Sequence, residues 1–167
     1  MKTLTLVRHA KSTWDIEDWT DLERPLNERG LSDAPLMAKV LAKKMESKPD
    51  LILSSNALRA LSTANIFAPL LGYSEDDISV ENGIYDRGTK YIINLLKTQA
   101  DDINSILLFG HNPDVTSMAT YFLGDFVESL PACAVISIDF DIDQWTEIED
   151  INGVMKFYEY PKKYRTN

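Results

Sequence analysis

The chain has 167 residues, 44% of them hydrophobic, and a formal net charge of −9 at pH 7. This length and apolar content fit one domain, residues 1–167, with a core of its own. The acidic balance argues against general nucleic-acid binding, which depends on clustered lysines and arginines that meet phosphates. No apolar run approaches the roughly 20 residues needed to cross a bilayer, so we expect no membrane partner.

Cysteine usage and the amino-terminal residues bear on the compartment. The single cysteine excludes an internal disulfide framework and fits a reducing environment. The amino-terminal run reaches Arg8 too early for a secretory signal peptide. We therefore expect a cytoplasmic protein.

Strands and helices are predicted to alternate along most of the chain. In the first half the predicted elements are a strand at 3–8, a polar loop at 12–26, a helix from Asn27 to about Met45, a strand at 51–54 and a helix to about Leu71. Asn27 is the predicted N-cap of the first helix, and Ser55 or Asn56 that of the second. The predicted apolar stripe of the first helix is Leu31, Leu36, Val40 and Leu41.

The second half continues the alternation. Its predicted elements are a short strand at 78–80, a helix at 89–98, a strand at 104–109, a helix at 113–123 with Pro113 in its first turn, and strands at 135–140 and 155–160. The last two strands alternate in a way that is typical of an antiparallel pair at a sheet edge. The sequence therefore predicts an α/β fold, a three-layer αβα sandwich with a mostly parallel central sheet.

The chain contains two histidines, and each follows a predicted strand. His9 comes after the apolar run at residues 4–7, and His111 after the run at 106–109. The carboxyl ends of parallel strands are where open α/β sheets bind ligands. We therefore expect both imidazoles, which ordinarily titrate near neutral pH, at the same edge of the sheet.

Basic residues near these strand ends favour a phosphate ligand. Arg8 offers a planar, charged fork next to His9. Arg59 falls in the first turn of the predicted second helix, where free N–H groups and the helix dipole already favour anions. Taken singly, each could equally be a surface or core residue without a binding role. The residues that run against the acidic trend are Arg8, Lys11, Arg24, Arg59 and Arg87.

Five segments, in this order, resemble the histidine phosphatase superfamily. They are residues 6–10 (Leu-Val-Arg-His-Ala), 24–30 (Arg-Pro-Leu-Asn-Glu-Arg-Gly), 50–60, 63–64 (Thr-Ala) and 109–113 (Phe-Gly-His-Asn-Pro). The resemblance covers nearly the whole chain and is nearest to the short SixA-type phosphohistidine phosphatases. It implies a phosphoglycerate mutase-like fold.

The resemblance also implies roles for individual residues. His9 would be the nucleophile that receives the phosphoryl group, Arg8 and Arg59 would bind its oxygens, and His111 would interact with the same group. The candidate phosphate-binding residues are Arg8, Arg59, His111, Lys11 and Arg24. No metal and no cofactor is expected, because the arginines and the second imidazole supply the positive charge.

The general acid is the point where the chain departs from many members of the superfamily. Glu81 and Asp86 lie in the region where such an acid is usual, although each could be an ordinary solvated loop residue. An alkoxide leaving group needs a proton from the enzyme, whereas a phosphorylated imidazole can take one from solvent. The sequence therefore favours a phosphatase acting on phosphohistidine in a protein. The alternatives are a phosphatase for a small phosphate ester and a non-catalytic phosphate-binding module.

Other motifs support no rival chemistry. The acids of residues 139–143 resemble the start of a calcium loop, but Gln144 replaces the glycine that such a loop requires. Cys133 is followed by no arginine-bearing phosphate loop, so we expect a buried small hydrophobic residue. Trp14 and Trp19 could line a substrate entrance, with packing as the simpler interpretation.

Overall fold

The computed structural model describes residues 1–14, 17–126 and 128–165. Within these ranges the strands are β1 (Lys2–Arg8), β2 (Leu51–Ser54), β3 (Ser79–Val80), β4 (Ser105–Gly110), β5 (Val135–Phe140) and β6 (Val154–Glu159). The helices are α1 (Glu28–Lys44), α2 (Leu58–Leu70), α3 (Gly83–Asp86), α4 (Gly88–Lys97) and α5 (Asp114–Leu123). In this part of the chain no helix has the length and apolar character that a membrane span requires.

The strands form one six-stranded sheet in the order β3-β2-β4-β1-β5-β6. Strands β1 to β4 pair in parallel, and β5 runs antiparallel to both β1 and β6. The predicted antiparallel pair is confirmed, with β6 at the edge. Because β1 and β4 are neighbours in register, their carboxyl ends lie side by side.

Helices cover both faces of the sheet, which confirms the three-layer sandwich. On one face Leu108 belongs to the same core cluster as Ile92 of α4 and Met118 of α5. On the other face Leu107 clusters with Met37 of α1 and Phe67 of α2. Successive residues of β4 thus serve opposite cores, as expected for a strand buried on both sides.

The predicted apolar stripe of α1 is largely wrong. Leu31 is 57% exposed, and Leu36 and Val40 are half-buried, so only Leu41 of the four is buried. The buried face consists of Gly30, Asp33, Ala34, Met37, Ala38 and Leu41. Small residues and a buried ion-paired aspartate make up most of this face, and a search for large apolar residues overlooks both.

The predicted cap of α1 is confirmed, whereas that of α2 is wrong. Asn27 accepts a hydrogen bond from the backbone N–H of Gly30. Helix α2 begins later than expected, with Ala57 at its N-cap. The hydroxyl of Ser55 instead accepts a hydrogen bond from the backbone N–H of Ala57, the N-cap residue itself.

The segment at 12–26 folds back on itself across the carboxyl end of the sheet. Ser12 forms an isolated bridge with Leu26, and residues Asp21–Glu23 form a 3-10 turn. Positions 15 and 16 of the predicted loop lie outside the described residues. Helix α1 packs closely against the residue that precedes this segment. A Cβ at Gly30 would stand 2.1 Å from the carbonyl oxygen of Lys11, so only glycine fits there.

Candidate active site

The two histidines lie together at the carboxyl ends of β1 and β4, as predicted. Their ring centroids are 5.2 Å apart. The backbone N–H of His9 donates to the carbonyl of Gly110 at 3.0 Å, which ties the two strand ends together directly. Both side chains are buried, with exposures of 9% for His9 and 8% for His111.

The ring of His9 is held in one orientation by its own backbone. Its Nδ1 lies 2.7 Å from the carbonyl oxygen of Ala10. A carbonyl can only accept, so Nδ1 carries the proton and Nε2 is left with a free lone pair. Burial, with a smaller contribution from Arg59 and Arg8, lowers the pKa of His9 to about 4. At neutral pH the ring is therefore uncharged, which suits a nucleophile.

His111 is oriented through Ser55. Its Nε2 lies 2.8 Å from the Ser55 hydroxyl, which already accepts from the Ala57 N–H at 3.1 Å. Among the residues that the structure describes, His111 Nε2 is the one acceptor within reach of the Ser55 hydroxyl proton. We infer that Ser55 donates to Nε2, so that the neutral ring carries its proton on Nδ1. Burial, followed by the nearby His9, lowers the pKa of His111 to about 3.

Three nitrogens of this cluster are buried without a hydrogen-bond partner in the described part of the chain: Arg8 Nε, Arg59 Nε and His111 Nδ1. Arg8 uses Nη1 to donate to the carbonyl of Leu130 at 2.8 Å. Buried donors are almost always paired in folded proteins. Unpaired donors on three neighbouring side chains therefore indicate a site for an acceptor-rich anion.

Asp21 is one of the site residues that sequence reasoning missed, together with Tyr85 and with Ser55, which was predicted only as a helix cap. Its Oδ2 accepts from Arg59 Nη2 at 3.0 Å and from the Tyr85 hydroxyl at 2.6 Å, and its carbonyl accepts from Arg59 Nη1 at 2.7 Å. Its Oδ1 accepts from Arg24 Nε at 2.9 Å. The hydrogen bond from Tyr85, followed by Arg59 and Arg24, lowers the pKa of Asp21 to about 2 despite partial desolvation. The one indication in the sequence was its spacing, because an acidic residue three positions before Arg24 can form an ion pair with it.

Arg24 and Tyr85 complete the wall around the histidines. Arg24 also donates from Nη1 to the Ser12 hydroxyl at 3.2 Å, and its guanidinium stacks 3.4 Å from the ring centroid of Trp14. The Tyr85 ring meets His111 edge-on, with 5.6 Å between centroids. The structure thus brings Arg24 into the cluster predicted from sequence.

Other predicted residues lie further out. Lys11 is exposed and lines a cavity of about 490 Å³ together with Arg8 and His9. Glu81 and Asp86 line a different cavity, which neither histidine reaches. Among the described residues, neither Glu81 nor Asp86 is hydrogen-bonded to either histidine.

The structure does not support a cysteine nucleophile or a metal site in the part of the chain that it describes. Cys133 is buried, as expected, and burial raises the pKa of its thiol. Within the described ranges, no group of three or more His, Cys, Asp or Glu side chains is arranged to hold a metal ion.

Comparison with known proteins places this site in a family. Residues 4–87 match the histidine phosphatase superfamily (branch 1). An uncharacterized chloroplast protein of Arabidopsis thaliana is 28% identical over 160 residues, which cover 91% of this chain and 72% of that protein.

Solved structures share the fold. The structure assigned to the phosphohistidine phosphatase SixA of Agrobacterium tumefaciens is 25% identical, with a TM-score of 0.82 over 96% of this chain and 98% of that chain. A protein histidine phosphatase SixA in complex with tungstate is 22% identical, with a TM-score of 0.77 over 98% and 99% of the two chains. A mycobacterial glucosyl-3-phosphoglycerate phosphatase is 16% identical, with a TM-score of 0.68 over 94% and 98%.

The family match spans half of the chain and includes the β1 end, the segment at 12–26 and the start of α2, from which the cluster around His9 is built. The chain therefore belongs to the histidine phosphatase superfamily, in its SixA-type branch, and is a phosphatase.

Proposed function

We propose that this protein is a metal-independent phosphatase that hydrolyses phosphohistidine in a protein through a phosphoenzyme on His9. The observation that carries the proposal is the set of buried, unpaired N–H groups on Arg8, Arg59 and His111 next to the free Nε2 of His9. Together they provide a nucleophile and the donors that a transferring phosphoryl group requires.

The reaction takes two steps. His9 Nε2 forms a bond to phosphorus as the bond between phosphorus and the substrate imidazole breaks. The released imidazole takes a proton from solvent. Water then attacks the phosphorus and gives up a proton to solvent, the bond between phosphorus and His9 Nε2 breaks, and inorganic phosphate leaves. Arg8 and Arg59 neutralise the charge on the phosphoryl oxygens in both steps.

His111 acts as a hydrogen-bond donor rather than as a cation. Its lowered pKa keeps the ring neutral, and Ser55 directs the ring proton to Nδ1. The buried Nδ1–H then donates to a phosphoryl oxygen. Ser55 is thus a positioning residue that acts through His111.

Phosphohistidine is favoured because, in the part of the chain that the structure describes, no carboxyl group is hydrogen-bonded to either histidine. Asp21 is near, but a pKa of about 2 keeps it ionised at neutral pH. Glu81 and Asp86 line another cavity. A leaving imidazole, with a free pKa of roughly 6.5, needs no enzymatic acid, whereas an alkoxide does. We also propose that the protein works in a reducing compartment such as the cytoplasm, which suits its single cysteine.

The test compares hydrolysis of a histidine-phosphorylated protein with hydrolysis of p-nitrophenyl phosphate, with His9→Ala as the blank. We expect a higher kcat/KM for the phosphohistidine substrate, lost in the variant and unaffected by EDTA. A preference for the ester would overturn the assignment and favour the second candidate, a small phosphate ester. Loss of activity with EDTA, restored by a metal, would contradict the metal-independent mechanism.

A further inference from the structure

The cavity beside His9 is larger than a phosphoryl group requires. Its volume is about 490 Å³. One wall comes from the chain that follows β1, up to Trp14, a second from Pro131 and Ala132, and a third from the carboxyl-terminal residues 160–165. It shares Arg8 and His9 with the site already described.

The charged residues that line this cavity are mainly basic, whereas the chain as a whole is acidic. Its lining includes Arg8, Lys11 and Lys162, and none of these three is ion-paired within the described residues. The one acidic residue in the lining, Asp33, is already neutralised by Arg165. On a protein with a net charge of −9, the cavity is thus a local cationic surface.

Buried contacts hold the carboxyl-terminal wall in place. Arg165 donates from Nε to Asp33 Oδ1 at 3.0 Å and from Nη2 to Asp33 Oδ2, and the side chain of Asp33 is only 3% exposed. The Tyr164 hydroxyl donates to Glu159 at 2.6 Å. Lys162 therefore projects from an anchored turn, Pro161–Lys163, rather than from a loose tail.

An exposed aromatic ring stands at the entrance. Trp14 is 77% exposed although it stacks on the guanidinium of Arg24, so the simple packing interpretation of this residue is wrong. Tryptophan and arginine are the residues that most often dominate protein–protein binding energies. The cavity thus combines cations with the kind of apolar anchor that contacts polypeptides.

We propose that this cavity is the docking groove for the polypeptide segment around the phosphorylated histidine, and that it selects segments with acidic residues near that histidine. The proposal rests on the proposed function and adds the sequence context of the substrate. A small bisphosphate is less well matched, because small-molecule sites fix their ligands with buried, converging polar groups. Lys11 and Lys162 are instead exposed, which is typical of complementary charges at protein interfaces.

The experiment uses two peptides that carry one phosphohistidine and differ only in flanking glutamates or glutamines. Lys162→Glu tests the groove. Lys156→Glu is the matched control, because Lys156 is exposed, makes the same charge change and lines a separate cavity with Met1 and Asp50 at the start of β1. The kcat/KM values are measured at low and high salt, with p-nitrophenyl phosphate as a substrate that does not need the groove.

Wild type and Lys156→Glu should prefer the acidic peptide by roughly tenfold at low salt, and Lys162→Glu by about twofold or less. High salt should reduce the preference in wild type. Hydrolysis of p-nitrophenyl phosphate should be the same in all three proteins. If the wild-type protein showed no preference for the acidic peptide, or if both variants lost that preference equally, the proposal of a docking groove would be wrong.

A further arm separates failure of the groove from failure of the proposed function. If p-nitrophenyl phosphate is hydrolysed but neither phosphopeptide is, the phosphohistidine assignment fails. The groove is then judged by inhibition of p-nitrophenyl phosphate hydrolysis with the unphosphorylated acidic peptide. Inhibition that Lys162→Glu weakens supports docking, and no inhibition of wild type overturns it. A small bisphosphate that depends on Lys162 as strongly as the acidic peptide would overturn the choice of a polypeptide.

Discussion

Each end of β1 carries a basic residue with a buried nitrogen, but the hydrogen bonds of the two nitrogens differ. At the amino end Lys2 is 1% exposed, and its Nζ donates to the carbonyls of Asp101 at 2.5 Å and Ile103 at 3.0 Å and to Asn104 Oδ1 at 2.8 Å. An ammonium group has three protons, and all three are used. At the carboxyl end Arg8 and its neighbours keep buried nitrogens unpaired.

This difference separates a structural polar group from a functional one. A buried charge whose donors are all satisfied contributes to stability, and its removal leaves acceptors without partners. A buried donor without a partner costs free energy in the unliganded protein, and the cost is offset when a ligand accepts from it. Each end of β1 thus has a buried nitrogen, and hydrogen-bond satisfaction is what distinguishes the structural one from the functional one.

The largest expected effect is that of His9→Ala. Loss of the nucleophile should reduce kcat by at least about 10³-fold while the protein stays folded, because removing a nucleophile removes the covalent route. Steady-state kinetics and circular dichroism measure the two properties. A folded variant that retains wild-type turnover would remove His9 from the mechanism.

Lys2→Met and Arg59→Met test the comparison directly. Lys2→Met should destabilise the protein by about 2 kcal/mol, since it strands buried acceptors, and leave inhibition by vanadate unchanged. Arg59→Met should weaken vanadate inhibition by about 10²-fold. It should destabilise the protein by only about 1 kcal/mol, because it removes the partner of the Asp21 carbonyl while the Asp21 carboxylate keeps Tyr85 and Arg24. Urea denaturation and inhibition assays on both variants provide the readouts. If both variants changed vanadate inhibition and the free energy of unfolding equally, the distinction between a structural and a functional basic residue would be wrong.

Ser55→Ala should have a smaller effect on turnover, with a decrease in kcat of about tenfold. Nitrogen-15 NMR should show the Nδ1–H form of His111 in wild type and a mixture of both neutral forms in the variant. Ser55→Thr, which keeps a hydroxyl, should restore both properties. Ser54→Ala is the control, because the Ser54 hydroxyl donates to the Ser55 carbonyl and does not contact His111. An unchanged tautomer in Ser55→Ala would contradict the positioning role.

Near neutral pH, the free energy of unfolding should change more with pH than kcat does, because both native histidines stay neutral. Burial lowers the histidine pKa values from 6.5 to about 4 for His9 and about 3 for His111. Below pH 6.5 the unfolded chain therefore binds more protons than the native protein. The free energy of unfolding should be highest above pH 6.5 and fall as the pH is lowered toward 4.

The chain has two histidines, so NMR titration can follow each one. Neither ring should titrate between pH 5 and 8 in the native protein, and His111→Gln should reduce the loss of stability between pH 7 and pH 5. A native histidine with a pKa near 6.5 would contradict the buried, neutral pair.

Much of this architecture follows from local sequence patterns. Apolar runs ended by turn-forming residues are enough to predict β1 and β4, and parallel pairing then brings His9 and His111 together. Asn27 likewise carries a local cap signal. These features depend on neighbours in the sequence, which is why reading the chain recovers them.

Other features depend on contacts across the fold. Asp33 is buried because Arg165, 132 residues later, donates to it. Asp21 joins the site because a 3-10 turn brings its carboxylate to Arg59 and Tyr85. An acidic residue in a polar loop gives no sign of such distant partners, so the sequence left both undetected.

The bonding of Asp21 has a consequence for product release. Asp21 accepts one N–H from Nη1 and one from Nη2 of Arg59, while the buried Nε has no partner among the described residues. Inorganic phosphate therefore meets a guanidinium whose charge is already partly neutralised, and must share it with a resident carboxylate. In the proposed mechanism this competition should weaken the hold on the dianion that each catalytic cycle leaves behind, and so favour its release before the next substrate binds.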